Sequence, residues 1–221
     1  MKSIRYALLF LLVTLSAEAA EFQEGVHYQR LPVPVDTQDA SKVEVVELFS
    51  YACIHCKNFD PMLESWRAEQ ADDVLFRRVP AIFDKTWEFL AQAFYTAQVL
   101  NIGDEVHQPI FRALHDRGVN LVNPSLMAAL FQEVGGVAPD EFTSVFNSFS
   151  VRSRVQQADA HGRAYRVTGV PMLIVDGVYR IDGKMAGSNT NMLKIVDFLV
   201  AERRGSGRRD DPAAISAAKT E

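Results

Sequence analysis

Two cysteines, Cys53 and Cys56, stand at the junction between a strand signal and a helix signal. Val43 to Phe49 reads Val-Glu-Val-Val-Glu-Leu-Phe, a β-branched and apolar run that predicts a largely buried central strand. After Cys53-Ile54-His55-Cys56, the residues Phe59, Met62, Leu63 and Trp66 recur at helical spacing to about Glu69. Pro61 removes one intrahelical donor from that helix. Val74 to Val79 predicts a second strand, closed by Pro80. A strand–helix–strand opening of this kind directs the chain to the α/β class.

Beyond Asp84 the pattern turns helical. Candidate helices cover Trp87 to Leu100, Asp104 to Asp116, Pro124 to Val134, Pro139 to Phe149 and Val151 to Tyr165. Asn123-Pro124 has the chemistry of a helix start, and Gly135-Gly136 that of an end. Strand chemistry returns at Val170 to Ile181, where Asp176-Gly177 predicts a type I′ hairpin turn. Asn191 to Ala201 forms a last amphipathic helix. Residues 204–221 are small and polar and read as a disordered tail.

The first residues set the compartment. Lys2 and Arg5 precede the apolar stretch Tyr6 to Leu15, and Ala17-Glu18-Ala19 places small residues where signal peptidase needs them. That stretch is too short for about 30 Å of hydrocarbon, so residues 1–19 read as a secretory signal peptide cut after Ala19. The destination is oxidising, where a cysteine pair can remain a disulfide. The chain has 221 residues, 48% of them hydrophobic, enough to build a proper core. Its 28 acidic residues outnumber 23 basic ones, which argues against a general nucleic-acid binder. Two cysteines are too few for a four-cysteine metal site.

Cys-x-x-Cys at the start of a helix is the redox arrangement of a cysteine pair. Unsatisfied N–H groups and the helix dipole favour a thiolate at Cys53. His55 can add a donor or a positive charge to it, while Cys56, one turn deeper, is placed to resolve a mixed disulfide. A structural disulfide spanning two residues would constrain little chain. Covalent haem attachment fails because Lys57, not His, follows Cys56. A copper or zinc site would need His27, His107, His115 or His161 to converge on the pair; no metal is expected. A peptide- or metal-binding module with incidental cysteines is the reading from a different class.

The run Val-Val-Glu-Leu-Phe-Ser-Tyr-Ala-Cys-Ile-His-Cys, Pro61, and Thr168-Gly169-Val170-Pro171 together resemble the thioredoxin superfamily and, within it, the DsbA family of periplasmic thiol oxidants. The likeness extends over nearly the whole chain after the signal peptide. It implies a thioredoxin-like fold with an inserted all-helical domain: residues 20–83 and 161–203 form the first, 84–160 the second. The implied activity is donation of the Cys53–Cys56 disulfide to exported proteins, with no cofactor beyond that disulfide. The implied partners are unfolded exported proteins bearing free thiols and a DsbB-type membrane quinone reductase for reoxidation. A monomer in the periplasm is expected.

The resemblance also assigns Pro171 as the cis-proline facing the disulfide, with Val170 and Ile54 bordering a substrate groove. Glu47 interrupts the apolar strand, and its family counterpart is a buried acid near the resolving cysteine. Desolvation would raise its pKa and let it shuttle the Cys56 proton; the plainer reading is a solvent-facing strand residue. Ile54-His55 departs from the Pro-His common in the family, keeping the electrostatic residue and losing the rigid one. Trp66 and Trp87 are expected to be core aromatics. A reductant or isomerase of the same compartment is the alternative activity, although residues 20–52 are too few for the N-terminal dimerisation domain that such isomerases carry.

Overall fold

The structure, a computed structural model, describes residues 21–205. The expected signal peptide, and residues 206–221 of the expected tail, lie outside the described residues. No helix among the described residues is long and apolar enough to cross a membrane.

Chain order is β1 (Gln29–Arg30), β2 (Val43–Phe49), α1 (Ile54–Ala68), β3 (Val74–Pro80), α2 (Lys85–Val99), α3 (Gly103–His115), α4 (Pro124–Gly135), α5 (Pro139–Phe146), α6 (Phe149–Ala164), β4 (Met172–Val175), β5 (Tyr179–Asp182), α7 (Gly183–Ala186) and α8 (Asn189–Gly205). The five strands form one sheet in the order β1-β5-β4-β2-β3. β2 pairs parallel with β3 and antiparallel with β4, so it lies inside the sheet and every one of its residues is buried. That is why it reads as a continuous apolar run.

Strand periodicity sorts β2 between two layers. Val43 and Val45 face α1 and α8, packing with Phe59, Leu63, Ile195 and Leu199. Val46 and Leu48 face the other way, towards Ala158 of α6 and Tyr165. Glu47 shares the parity of Val43 and Val45 and therefore belongs to the α1 side. A third cluster joins Phe49, Tyr51 and Cys56 to α2, α3, α4 and α5. The helical block thus packs directly on the segment that carries the cysteines.

Several element ends differ from the sequence reading. α2 starts two residues earlier than Trp87, because the Asp84 side chain accepts from the Trp87 N–H. α5 stops at Phe146, and Ser148 caps a separate α6 by accepting from the Val151 N–H. α6 continues to Ala164, through the expected domain boundary at residue 160. α8 reaches Gly205, past the expected start of the tail, because Arg203 pairs with Asp176 and Arg204 with Asp73. The hairpin turn has Asp176 at φ 53° and Gly177 at φ 64°, with the Val178 N–H bonded to the Val175 carbonyl at 3.0 Å. A Cβ on Gly177 would lie 1.8 Å from the Val35 carbonyl oxygen, so this position requires glycine twice over.

Candidate active site

Cys53 is the N-cap of α1. The chain leaves β2 at Phe49, and the Cys53 N–H bonds back to the Ser50 carbonyl at 3.0 Å. That turn brings the Cys53 sulfur over the first turn of the helix, where the Cys56 N–H donates to it at 3.3 Å. Both cysteines are free; Cys53 is half-buried and Cys56 fully buried.

Their environments push the two thiols apart. Hydrogen bonding from the Cys56 side chain is the largest influence on Cys53. Together with the Cys56 and His55 backbone amides, and in last place the His55 charge, it outweighs burial and lowers Cys53 to about 6. The fold favours the charged form by donating to it. Burial pushes Cys56 well above the ordinary thiol range, and the hydrogen bond to Cys53 and the Glu47 charge push the same way. One sulfur is therefore a stabilised thiolate near neutrality and the other a thiol.

The Val170–Pro171 peptide bond is cis, in agreement with the assignment carried by the resemblance. The Cys53 sulfur lies 3.5 Å from the Val170 carbonyl oxygen. Pro171 has no N–H and β4 begins immediately after it, at Met172. Val170 is partly buried against both the helical cluster and the α6-side cluster. Ile54 and His55 are exposed on the rim of α1. The structure thus brings Cys53, Cys56, His55, Ile54, Val170 and Pro171 to one edge of the molecule.

Glu47 is 1% exposed, which disposes of the solvent-facing alternative. Its carboxylate accepts from Arg78 Nε at 2.8 Å, across the β2–β3 ladder in which these two residues are register partners. Burial raises Glu47 to about 7; the Arg78 charge opposes this, and the Asp60 charge adds to it. Arg78 also donates to Asp60 Oδ1 at 2.8 Å and to Glu64.

The Cys-x-x-Cys motif does not point to Asp60, Arg78, Tyr51, His107 or His115. Two signals bear on them. Asp60 follows Cys56 by four residues, on the same helical face, and Arg78 interrupts a strand as Glu47 does. The histidines do not converge on the sulfurs: His107 bonds Asp60 and Tyr51, and His115 Nε2 lies 2.8 Å from the Tyr51 carbonyl oxygen. Among the described residues, no group of three or more His, Cys, Asp and Glu side chains is placed to hold a metal ion. Trp66 is a core aromatic, its indole N–H bonded to Asp197 at 2.7 Å. Trp87 differs: it is only half-buried, with the exposed Phe83 ring 4.8 Å from its own.

Residues 76–199 match the family model described as DSBA-like thioredoxin domain. The chain is 37% identical over 191 residues to the thiol:disulfide interchange protein DsbA of Azotobacter vinelandii, covering 86% of this chain and 89% of that one. It is 35% identical to the protein of the same name from Pseudomonas aeruginosa, covering 88% and 92%. The crystal structure of Pseudomonas aeruginosa DsbA superposes with a TM-score of 0.82, covering 86% of this chain and 99% of that one. The chain, with its paired sulfurs beside a cis-proline, belongs to the DsbA family of thiol:disulfide oxidoreductases.

Proposed function

We propose that the protein donates its Cys53–Cys56 disulfide to exported proteins that carry free thiols. The observation that carries this reading is the asymmetry of the pair, with Cys53 lowered to about 6 and Cys56 buried and raised. A substrate thiolate attacks the Cys53 sulfur, the sulfur of the pair that solvent reaches. The Cys53–Cys56 bond breaks, a mixed disulfide forms, and Cys56 leaves with the electron pair and takes up a proton. A second substrate thiolate then attacks the substrate sulfur of the mixed disulfide. Cys53 is expelled as the thiolate its surroundings favour, the substrate is oxidised by two electrons, and the protein is left as the dithiol.

Cys56 is a poor leaving group without a proton, and Glu47 titrates near neutrality, so Glu47 supports the role of proton carrier. Val170 offers backbone pairing beside the sulfur, and exposed Ile54 an apolar rim, for an extended peptide. His55 acts first through its backbone amide and last through its charge. The reading includes a periplasmic location after cleavage behind Ala19, a monomer, and a helical insertion over residues 84–160 on a thioredoxin-like unit. It also includes reoxidation by a DsbB-type membrane quinone reductase and no cofactor beyond the disulfide.

The test is oxidation of a reduced two-cysteine peptide by the oxidised protein, compared with Cys53→Ala. Stoichiometric oxidation by the wild type and none by the variant is expected; equal rates would refute the reading. Equilibration of the pair with glutathione separates oxidant from reductant, since a donor must be largely reduced where substrate disulfides persist.

A further inference from the structure

Helix α3 of the helical block delivers a histidine to the buried charges beneath the cysteines. His107 is 7% exposed; its Nε2 lies 3.0 Å from Asp60 Oδ1 and its Nδ1 2.9 Å from the Tyr51 hydroxyl. Burial holds the ring below its ordinary pKa, against the pull of Asp60, so near neutrality it carries a single N–H. An ionised carboxylate can only accept, which places that hydrogen on Nε2 and leaves Nδ1 to accept from Tyr51. Asp60 therefore receives His107, Arg78 and, on its other oxygen, Gln108. Burial alone would raise Asp60, but the His107 contact first, then the Arg78 charge and the Gln108 hydrogen bond, outweigh it. Glu47 has one donor among the described contacts, Arg78, which it shares with Asp60 and Glu64.

Two buried carboxylates, Glu47 and Asp60, thus compete for one guanidinium. If a proton is bound between them, it goes to the acid with fewer donors. We propose that His107 is a positioning residue for the thiol–disulfide reaction: by donating to Asp60 it keeps that carboxylate ionised on Arg78 and so leaves the exchangeable proton on Glu47, beside Cys56. The inference rests on the reading of Glu47 as the Cys56 proton carrier. The charged and titratable groups that face Glu47 are Arg78 from β3, Asp60, Glu64 and Cys56 from α1, and Tyr51 from the turn between β2 and α1. Those that face His107 are Tyr51, Asp60, Arg78 and Glu64.

Without the His107 N–H, the proton partitions towards Asp60, Arg78 is left to Glu47, and Glu47 ionises at lower pH. The readout is the rate at which Cys56 displaces glutathione from a Cys53–glutathione mixed disulfide, followed by acid quench across pH. The wild type should show an inflection near the Glu47 value of about 7. His107→Leu should move it to acid by roughly 1 pH unit, the low end of what one neighbouring charge does to a carboxylate. His107→Gln, whose amide can present an N–H at the position of Nε2, should restore it.

Asp60→Asn removes the competing charge outright and should move the inflection in the same direction, even if His107→Leu does not fold. An unmoved inflection in Asp60→Asn, or in folded His107→Leu, overturns the proposal, including when His107→Leu merely lowers stability. Glu47→Gln separates the two layers. An inflection that survives in Glu47→Gln defeats the proton-carrier reading itself. One that vanishes there yet ignores the His107 and Asp60 changes defeats only the positioning role.

Discussion

The thiolate at Cys53 owes its stability first to one hydrogen bond, and that bond can be removed singly. The Cys56 side chain is the largest influence lowering Cys53, ahead of the Cys56 and His55 amides. A hydrogen bond to a charged group contributes about 1.5–3 kcal/mol, which corresponds to roughly 1–2 pKa units. Cys56→Ala leaves the helix N-terminus, the Cys56 N–H at 3.3 Å and the Val170 carbonyl at 3.5 Å in place. Cys53 should then titrate at roughly 7–8 in place of about 6. At pH 7 its thiolate fraction would fall from about 90% to between roughly 50% and 10%. The assay is thiolate absorbance in the near ultraviolet as a function of pH, with the iodoacetamide alkylation rate as a second measure. Wild-type Cys56 does not interfere, because burial keeps it a thiol throughout. Cys56→Ser, which retains a donor, should titrate between the wild type and Cys56→Ala. A Cys56→Ala protein that titrates within a few tenths of a unit of the wild type would assign the thiolate to the helix end and backbone amides alone.

Three other outcomes are expected. Arg78→Met leaves Glu47 and Asp60, 1% and 2% exposed at their side chains, without their shared cation; the cost should be about 3–5 kcal/mol in urea unfolding at neutral pH, and a loss below about 1 kcal/mol would mean the cluster is not coupled to folding. Glu47 is raised from 4.5 to about 7, so its effect on stability is fully favourable below the unfolded value and is lost as pH rises through the folded one. Glu47→Gln should accordingly gain on the wild type between those two pH values, by at most roughly 3 kcal/mol in paired urea midpoints, and a constant difference would contradict the raised pKa. His55→Ala should make the disulfide less oxidising in glutathione equilibria, by less than about 30 mV, because the His55 charge is the smallest of the influences on Cys53; an unchanged equilibrium would show that only its backbone amide matters.

What the sequence makes legible here is local. The strand Val43–Phe49 is bounded correctly because burial on both faces leaves an unbroken apolar run, and the Asp176-Gly177 turn because two positive φ angles need those residue types. Helix ends are hidden from the sequence where capping, not periodicity, decides them: Lys85 and Thr86 carry no apolar signal, yet Asp84 starts a helix over them. The end of α8 depends on partners far along the chain, Asp176 and Asp73. The site divides in the same way. Cys53, His55 and Cys56 announce themselves by spacing, whereas Asp60, Arg78 and His107 act through contacts 14 to 56 residues apart, which the spacing of the motif does not record. Arg78 is part of a recognisable strand, but only the register pairing it with Glu47 shows which face it serves.

That division bears on how the pair becomes an oxidant. A disulfide oxidises more strongly when its reduced form is stabilised, and stabilisation of the thiolate counts only down to ambient pH. From the ordinary thiol value of 9.0 to pH 7, thiolate formation at Cys53 can contribute at most about 60 mV, at about 30 mV per unit. Cys53 is partly exposed, so solvent screening reduces that further. Lowering Cys53 beyond pH 7 therefore adds little to the equilibrium; it makes Cys53 a better leaving group in the step that frees the substrate. The opposite requirement falls on Cys56, which must leave with a proton from a site closed to water. Supplying that proton requires an acid that is buried yet titrates near neutrality, and Glu47 meets this because burial raises it while its one cation among the described contacts is divided among three carboxylates. The helical block packed over the cysteines contributes to that division through His107, so its part in the chemistry extends beneath the sulfurs as well as around them.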